Sequence, residues 1–144
     1  MLGIDLGTRR VGVAVSDPTG TVATPLATIE NRGPTHLAIE LRRFVRETGA
    51  QGLVIGLPVR TDGIEGPEAQ AVRADAERIG RALGLPVTLW DERLTTRIAE
   101  RALLEGGVRR RRRREVVDRL AAQILLQDYL DTHACQGMPS DTDR

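Results

Sequence analysis

Three acidic positions interrupt otherwise apolar patterns in this sequence and could act together. Asp5 lies within an apolar, glycine-rich run, Asp118 lies on the apolar side of a predicted helix, and the pair Asp91-Glu92 follows a predicted strand. Carboxylates about 4 Å apart repel one another by on the order of 4 kcal/mol per pair at an effective dielectric of about 20. A divalent cation or protonation would relieve that repulsion, so the three positions together suggest a metal site.

Oxygen atoms alone would hold the metal. His36 and His133 fall at a helix start and in the C-terminal region, and the one cysteine, Cys135, belongs to no metal or redox motif. An all-oxygen site favours Mg²⁺ or Mn²⁺ over zinc. Such ions, often paired roughly 3.5–4 Å apart, activate water and stabilise the leaving oxygen when a phosphodiester is hydrolysed.

A predicted β-hairpin positions Asp5. Apolar residues alternate with glycine, alanine, serine or aspartate over residues 2–7 and 11–16, which is strand periodicity. Asp5 therefore shares its face with Gly3 and Gly7, and these glycines leave open space on both sides of the carboxylate.

A predicted helix from about Glu115 to Leu130 positions Asp118. Asp118 is on the side of small and apolar residues, and we expect two alanines there to let the helix approach the hairpin closely, bringing Asp118 near Asp5. The opposite, polar stripe has four-residue spacing and is expected to face water. It consists of Glu115, Arg119, Gln123 and Gln127.

The third acid is either Asp91 or Glu92. Adjacent strand residues point to opposite faces, so only one of the two can join the cluster while the strand continues. The spacing alone does not choose between them.

The rest of the chain predicts a single α/β domain over residues 1–131. We expect a mixed sheet of five strands, the first three antiparallel, with helices on its faces. Pro25 marks an edge or bulge of the third strand, Pro58–Gly66 is a loop at the rim of the site, and residues 132–144 form a disordered tail. The predicted strands are 2–7, 11–16, 21–29, 52–57 and 86–90, and the predicted helices are 33–49, 67–84, 95–106 and 115–130.

Composition narrows the classes of function. The net charge of the 144 residues is only +1, yet all 21 basic side chains are arginine and six of them are consecutive. Three aromatic residues argue against a protein that stacks bases on aromatic platforms, but not against one that binds phosphates. No apolar run is long enough to span a membrane, so we expect a soluble, cytoplasmic protein without a membrane partner.

Four motifs, taken together, resemble the YqgF/RuvX family of Holliday-junction resolvases and pre-16S rRNA nucleases. The resemblance spans residues 1–131. The motifs are GIDLGTRRVGVAV at 3–15, GLP at 56–58 with DG at 62–63, DERLTT at 91–96 and VDRLAA at 117–122.

This resemblance implies a ribonuclease H-like fold related to RuvC and a metal-dependent endonuclease acting on branched DNA or on precursor ribosomal RNA. It implies Asp5, Glu92 and Asp118 as catalytic metal ligands. A fourth acid of RuvC-type sites is replaced by Ala121. The predicted nucleic-acid-binding residues are Thr8, Arg9, Arg10, Arg93, Arg109, Arg110, Arg111, Arg112, Arg113 and Arg114.

Two other classes of function stay open at this point. A nucleic-acid-binding ribosome-maturation factor that does not cut would need only the basic segment. The segment Ile4–Thr8 also resembles the first phosphate loop of actin-like sugar kinases and heat-shock ATPases, but those proteins close ATP between two such domains and this chain has length for one. If the protein does resolve four-way junctions, two symmetric cuts call for two active sites, which makes a homodimer plausible.

Overall fold

A computed structural model of the chain describes the backbone of residues 1–58, 65–91 and 110–136, and the side chains of these ranges except 110–119 and 134–136. The predicted helix at 95–106 lies outside the described residues. The described elements are β1 (Leu2–Leu6), β2 (Arg10–Ser16), β3 (Ala23–Glu30), α1 (Pro34–Thr48), β4 (Leu53–Leu57), α2 (Pro67–Leu83), β5 (Val87–Asp91) and α3 (Arg110–Gln136).

The five strands form one mixed sheet in the order β3-β2-β1-β4-β5. β1 pairs with β2 and β2 with β3 in antiparallel fashion, whereas β4 runs parallel to both β1 and β5. The β2–β3 register shifts between Val13 and Ala14, close to Pro25 on the edge strand β3. The predicted five-stranded mixed sheet, its antiparallel first three strands and the irregularity near Pro25 are therefore confirmed.

Helices α1 and α2 cover one face of the sheet with large aliphatic side chains. Both helices have proline in their first turn and end at a left-handed glycine, Gly49 (φ 71°) and Gly84 (φ 68°), as the sequence predicted. Their apolar sides pack on alternate residues of the strands, so this face is the main hydrophobic core. Its fully buried members include Leu2, Ile4, Val11, Val13, Leu37, Leu41, Leu53, Ile55 and Ile79.

Helix α3 covers the other face, where the strands carry small residues. Ala14, Val54 and Ala122 lie in this second core with Leu125 and Leu126. A Cβ atom added to Gly3 would lie 2.7 Å from Leu126 Cβ and 3.1 Å from the Ala122 carbonyl oxygen. The helix therefore approaches β1 as closely as Gly3 and Ala122 allow. This confirms the predicted contact between the helix and the hairpin.

The polar stripe of α3 does not all face water, so that prediction was wrong for two of its residues. Gln127 accepts a hydrogen bond from the Ala23 N–H (2.9 Å) and donates to the Thr21 carbonyl (2.8 Å). Gln123 donates to the Ala23 carbonyl (3.1 Å). The start of the edge strand β3 has backbone groups that require partners, and the glutamine amides supply them.

Helix α3 is also longer than predicted at both ends. It begins at Arg110, within the arginine run, because arginine has a high helix propensity. It ends at Gln136, so residues 132–136 belong to the helix and not to the predicted tail. Within the described residues, no helix is long and apolar enough to cross a membrane.

Candidate active site

Asp5 lies on the α3 face of the sheet and is surrounded by glycines. It pairs with Gly12 on β2, and the parallel β1–β4 register, which aligns Ile4 with Ile55, brings Gly56 level with it on β4. Gly3 precedes it on the same face. The half-buried Asp5 therefore has glycine beside it on β1, β2 and β4. Gly12 and Gly56 lie in motifs of the sequence, but their alignment with Asp5 was not predicted because only the strand register produces it.

Gly7 closes the turn after Asp5. Its N–H donates to the Arg10 carbonyl (3.0 Å), and a Cβ atom at Gly7 would collide with that same carbonyl oxygen. The glycine is thus required by the tightness of the turn. This turn determines where β1 ends and where the basic residues of the β1–β2 connection begin.

Helix α3 runs opposite to β1, so its residues before Ala122 lie towards the end of β1 that carries Asp5. Gln127 bonds to the start of β3, which is level with Met1, while the carbonyl of Ala122 faces Gly3, so the helix runs opposite to β1. Asp5 is two strand residues beyond Gly3, about 7 Å. Asp118 is four helix residues before Ala122, about 6 Å. The two aspartate positions therefore advance by similar distances along neighbouring elements, although the side chain of Asp118 is outside the described residues.

The pairing of β5 distinguishes between Asp91 and Glu92, the two candidates for the third acid. Trp90 pairs with Gly56 and lies on the α3 face, where its Nε1 donates to Asp128 Oδ2 (2.7 Å) and its ring meets Tyr129 edge-on at 5.4 Å. Asp91 pairs with Leu57, so it belongs to the opposite face. Asp91 therefore does not share the face of Asp5 while β5 continues, and Glu92 and Arg93 lie outside the described residues.

Asp5 is the one predicted metal ligand whose side chain the structure describes. Within the part of the chain whose side chains are described, no three acids, histidines or cysteines gather closely enough to bind a metal ion. Such a site therefore depends on Glu92 and Asp118, whose side chains are not among them. His133 stacks on Tyr129 at 4.0 Å near the opposite end of α3, which leaves oxygen as the donor chemistry beside Asp5.

Thr8, Arg9 and Arg10 line a cavity of about 530 Å³ at the β1–β2 turn. The cavity is shared with three residues at the end of β3, namely Thr28, Glu30 and Asn31. Those three residues were not predicted, because their proximity to the turn depends on the pairing of β2 with β3. Predicted binding residues are thus brought together with hydroxyl and amide groups beside Asp5.

The arginine run is the other predicted nucleic-acid contact. Residues 110–114 form the first turn and more of α3, and this turn carries no acidic residue. The positive end of the helix dipole adds to these positive charges. Five consecutive residues go around a helix of 3.6 residues per turn, so they cannot all occupy one face. Arg109 lies outside the described residues.

The far flank of the predicted rim loop is held by an ion pair. Arg73 Nε and Nη2 donate to Glu65 Oε1 (2.7 Å) and Oε2 (2.6 Å). The hydrogen bond from Arg73 lowers the pKa of Glu65 and keeps it ionised. Residues 59–64 of this loop lie outside the described residues.

The family model described as "RuvX: Holliday junction resolvase" matches residues 1–132. A relative in Moorella thermoacetica is 48% identical over 138 residues, covering 96% of this chain and 99% of its own length. One in Paracoccus denitrificans is 51% identical over 129 residues, covering 90% and 82%. Both are named as candidate pre-16S rRNA nucleases.

Among solved structures, the chain resembles Thermus thermophilus RuvC. A complex of RuvC with a Holliday junction substrate matches with a TM-score of 0.58 and 15% identity over 96% of each chain. A second RuvC structure gives a TM-score of 0.55 at 16% identity, covering 94% of this chain and 95% of the other. These likenesses confirm the predicted ribonuclease H-like fold of a single α/β domain.

Proposed function

Because the chain belongs to the RuvX family of Holliday junction resolvases, we propose that it is a divalent-metal-dependent endonuclease that hydrolyses phosphodiester bonds in structured nucleic acid. The observation that supports this most directly is Asp5, an acid with glycines beside it on three strands of the sheet. A face built for ordinary packing would carry larger apolar side chains at these positions.

The proposed ligands of Mg²⁺ or Mn²⁺ are Asp5, Glu92 and Asp118. The direction of α3, which runs from Asp118 towards the Gly3 contact, and the placement of Asp91 on the opposite face support this set over one that includes Asp91. When bound, such an ion activates water and stabilises the leaving oxygen. The Trp90–Asp128 hydrogen bond ties the strand that precedes Glu92 to α3.

The proposed substrates are branched DNA and precursor ribosomal RNA. Relatives named as candidate pre-16S rRNA nucleases support the second, and the fold shared with a protein solved on a Holliday junction is compatible with the first. Symmetric cutting of a junction would require two sites related by a two-fold axis, and therefore a homodimer. Cleavage confined to precursor RNA would remove that requirement.

The decisive experiment offers purified protein a mobile four-way junction, a linear duplex and a precursor 16S rRNA 5′ region, each with Mg²⁺ or Mn²⁺. We expect Asp5→Asn and Asp118→Asn to lower the cleavage rate by at least about a thousandfold, since each removes a charged ligand. Asp75→Asn, on α2 behind the opposite face, is the matched control and should cleave normally. Undiminished cleavage by both site variants would overturn the assignment.

A second candidate is a nucleic-acid-binding ribosome-maturation factor that does not cut, which the arginine-rich start of α3 favours. If six arginines neutralise phosphates, affinity should fall about a thousandfold between 50 and 200 mM salt. Binding with that salt dependence, but no cleavage with either metal, would support this candidate. ATP hydrolysis without cleavage would instead support the phosphotransferase alternative.

A further inference from the structure

The indole of Trp90 is held by a short stretch of α3. Its Nε1 donates a hydrogen bond to Asp128 Oδ2 (2.7 Å), and its ring meets Tyr129 edge-on at 5.4 Å. The ring of His133 lies 5.8 Å from the indole at an interplanar angle of 50°. One polar and two aromatic contacts therefore fix both the position and the orientation of a side chain that belongs to β5.

These contacts join the helix to the strand that lies farthest from its main packing surface. Helix α3 packs mainly on β1, β2 and β3 and less on β4. Strand β5 is one position further out, at the edge of the five-stranded sheet, where it pairs with β4. The neighbour of Trp90 on β4 is Gly56, which has no side chain to separate the indole from the helix. The Trp90 side chain therefore links the edge strand to α3.

Both of the linked elements carry proposed metal ligands. Trp90 is the penultimate residue of β5, and Glu92 follows the last one. The hydrogen-bonded ladder ends there, so the direction of the next residue depends on how firmly the end of the strand is held. Asp118 belongs to the same continuous helix as Asp128, and a helix bends only gently over ten residues. The contact at Trp90 thus fixes the two ligand-bearing elements relative to each other.

The carboxylate of Asp128 does more than satisfy the indole N–H. Trp90 is half-buried and Asp128 is exposed, so water could accept the same hydrogen bond. A carboxylate accepts a charge-assisted bond, which is stronger than a bond to a neutral acceptor, and this one is attached to a helix. Metal sites require supporting residues that hold the ligands to within about 0.5 Å. A fixed acceptor provides a defined distance between β5 and α3, which water would not.

We propose that Trp90 and Asp128 are positioning residues, which set the distance between the strand end that precedes Glu92 and the helix that carries Asp118. They thereby raise the affinity of the site for Mg²⁺ or Mn²⁺. The inference rests on the proposed function, because it takes Glu92 and Asp118 as metal ligands. It assigns a role to two residues that neither the motifs nor the predicted ligand set included. Asp128 acts through the indole and not on the ion itself.

The test measures Mn²⁺ affinity without substrate, from the electron paramagnetic resonance signal of the free ion. Asp128→Ala removes the acceptor and should weaken Mn²⁺ binding about tenfold, the lower end of the effect of removing groups that support metal ligands. Asp128→Asn keeps an oxygen that can accept the same hydrogen bond and should bind within about twofold of wild type. Trp90→Phe keeps a ring but loses the N–H, so it should resemble Asp128→Ala. The double variant should bind no more weakly than either single variant.

Trp90 is the only tryptophan in the chain, so its fluorescence reports this contact directly. The emission should shift to longer wavelength in Asp128→Ala, because the indole becomes more exposed to water, but not in Asp128→Asn. Gln127→Ala is the matched control, since it removes hydrogen bonds that the neighbouring residue of α3 makes towards β3. It should lower stability but keep the wild-type Mn²⁺ affinity, which separates a loss of stability from a loss of positioning.

Several results would contradict the inference, and they differ in what else they contradict. Wild-type Mn²⁺ affinity in Asp128→Ala, while Asp5→Asn loses binding, would overturn the positioning role and leave the proposed nuclease intact. An equal loss in Asp128→Asn and Asp128→Ala would show that the charge matters and not the hydrogen bond, which would also overturn it. An equal loss in Gln127→Ala would attribute the effect to the stability of α3 and refute a specific role for Trp90. Absence of Mn²⁺ binding by the wild-type protein would refute the metal-dependent nuclease itself.

Discussion

The two faces of the sheet use the same strands for different purposes. On the α1/α2 face, Leu2, Ile4 and Ile55 are fully buried among other aliphatic side chains. On the α3 face, the residues between them are Gly3 and Asp5 on β1 and Gly56 on β4. Because side chains alternate along a strand, the two sets interleave residue by residue. The large apolar side chain of Ile4 and the candidate ligand Asp5 are therefore adjacent residues of β1.

A small domain can thus carry a charged residue on one face of its sheet and keep its main hydrophobic core on the other. Burying one large aliphatic side chain contributes roughly 1.5–3 kcal/mol, and the α1/α2 face concentrates such residues. On the α3 face, the small residues of the strands contribute less to burial, but they let the helix approach the sheet closely. A one-residue slip of β1 would exchange the two faces and place Asp5 in the aliphatic core. The register of β1 is therefore constrained by the packing on both faces of the sheet.

The largest effect on stability is expected at Ile55. Ile55→Ala should lower the free energy of unfolding by about 2–5 kcal/mol, because it leaves a cavity in the fully buried aliphatic face. Cleavage per folded molecule should be unchanged, since the residue faces away from Asp5. Urea denaturation and initial rates measure the two quantities, and Ile39→Ala, at a side chain that is 60% exposed, is the control. A loss of rate in the folded fraction would show that the faces are not independent.

Substitution of Gly3 should have a smaller effect on stability, but it should lower both the free energy of unfolding and the cleavage rate. Gly3→Ala places a Cβ atom against Leu126 Cβ and the Ala122 carbonyl, neither of which is a flexible side-chain end. Overpacking of this kind costs about 1–3 kcal/mol. It should also slow cleavage, because α3 must move away from β1 and carry Asp118 with it.

Gly52→Ala is the matched control for Gly3→Ala. The closest atom to a Cβ at Gly52 is the sulfur of Met1, at 2.9 Å on a flexible side chain that can shift at small cost. Normal cleavage by Gly3→Ala, despite reduced stability, would contradict the close coupling of α3 to the site.

Gln127→Ala should cost about 1–2 kcal/mol. The change leaves the Ala23 N–H and the Thr21 carbonyl without their glutamine partner at the start of the edge strand. Amide hydrogen exchange at Ala23 should become faster, and urea denaturation should report the loss of stability. Gln70→Ala, on an exposed position of α2, should leave both measurements unchanged. Unaltered exchange at Ala23 would mean that water replaces the glutamine without cost.

The smallest effect is expected at Asp17, in the β2–β3 connection far from Asp5. Hydrogen bonds from the Thr19 hydroxyl and from the Val22 and Thr21 N–H groups lower the pKa of Asp17. Its stabilising contribution is therefore complete above the unfolded pKa of about 3.9 and is lost as the pH falls further. Asp17→Asn should be less stable than wild type at pH 7, with the gap narrowing towards pH 3. An equal gap at both pH values in urea denaturation would exclude this linkage.

Local patterns in the sequence were sufficient to predict the elements. Alternation in residues 2–16 predicted the hairpin, and Pro34 with Gly49 marked the two ends of α1. The side of α3 that carries Ala122 was also predicted correctly, because helical spacing defines which residues share a face.

Long-range relations could not be predicted in the same way. The alignment of Gly12 and Thr28 with Asp5 depends on strand register, which no short segment determines. Helical spacing identified Gln123 and Gln127 as one stripe but could not reveal that the start of β3 lies opposite them. The predicted start of this helix at about Glu115 falls after its observed start at Arg110, although the helix propensity of arginine favours the earlier start.

The contact of α3 with β1, β2 and β3 has a consequence for the order in which the molecule is made. The ribosome synthesises the first three strands early, but the helix that covers their small-residue face is synthesised last. Contacts between such distant parts of a chain form late and slow the folding reaction. An active site shared between β1 and α3 would therefore be completed only after nearly the whole domain had left the ribosome. If the proposed site is correct, the nascent chain would therefore be unable to cleave the RNA that surrounds it.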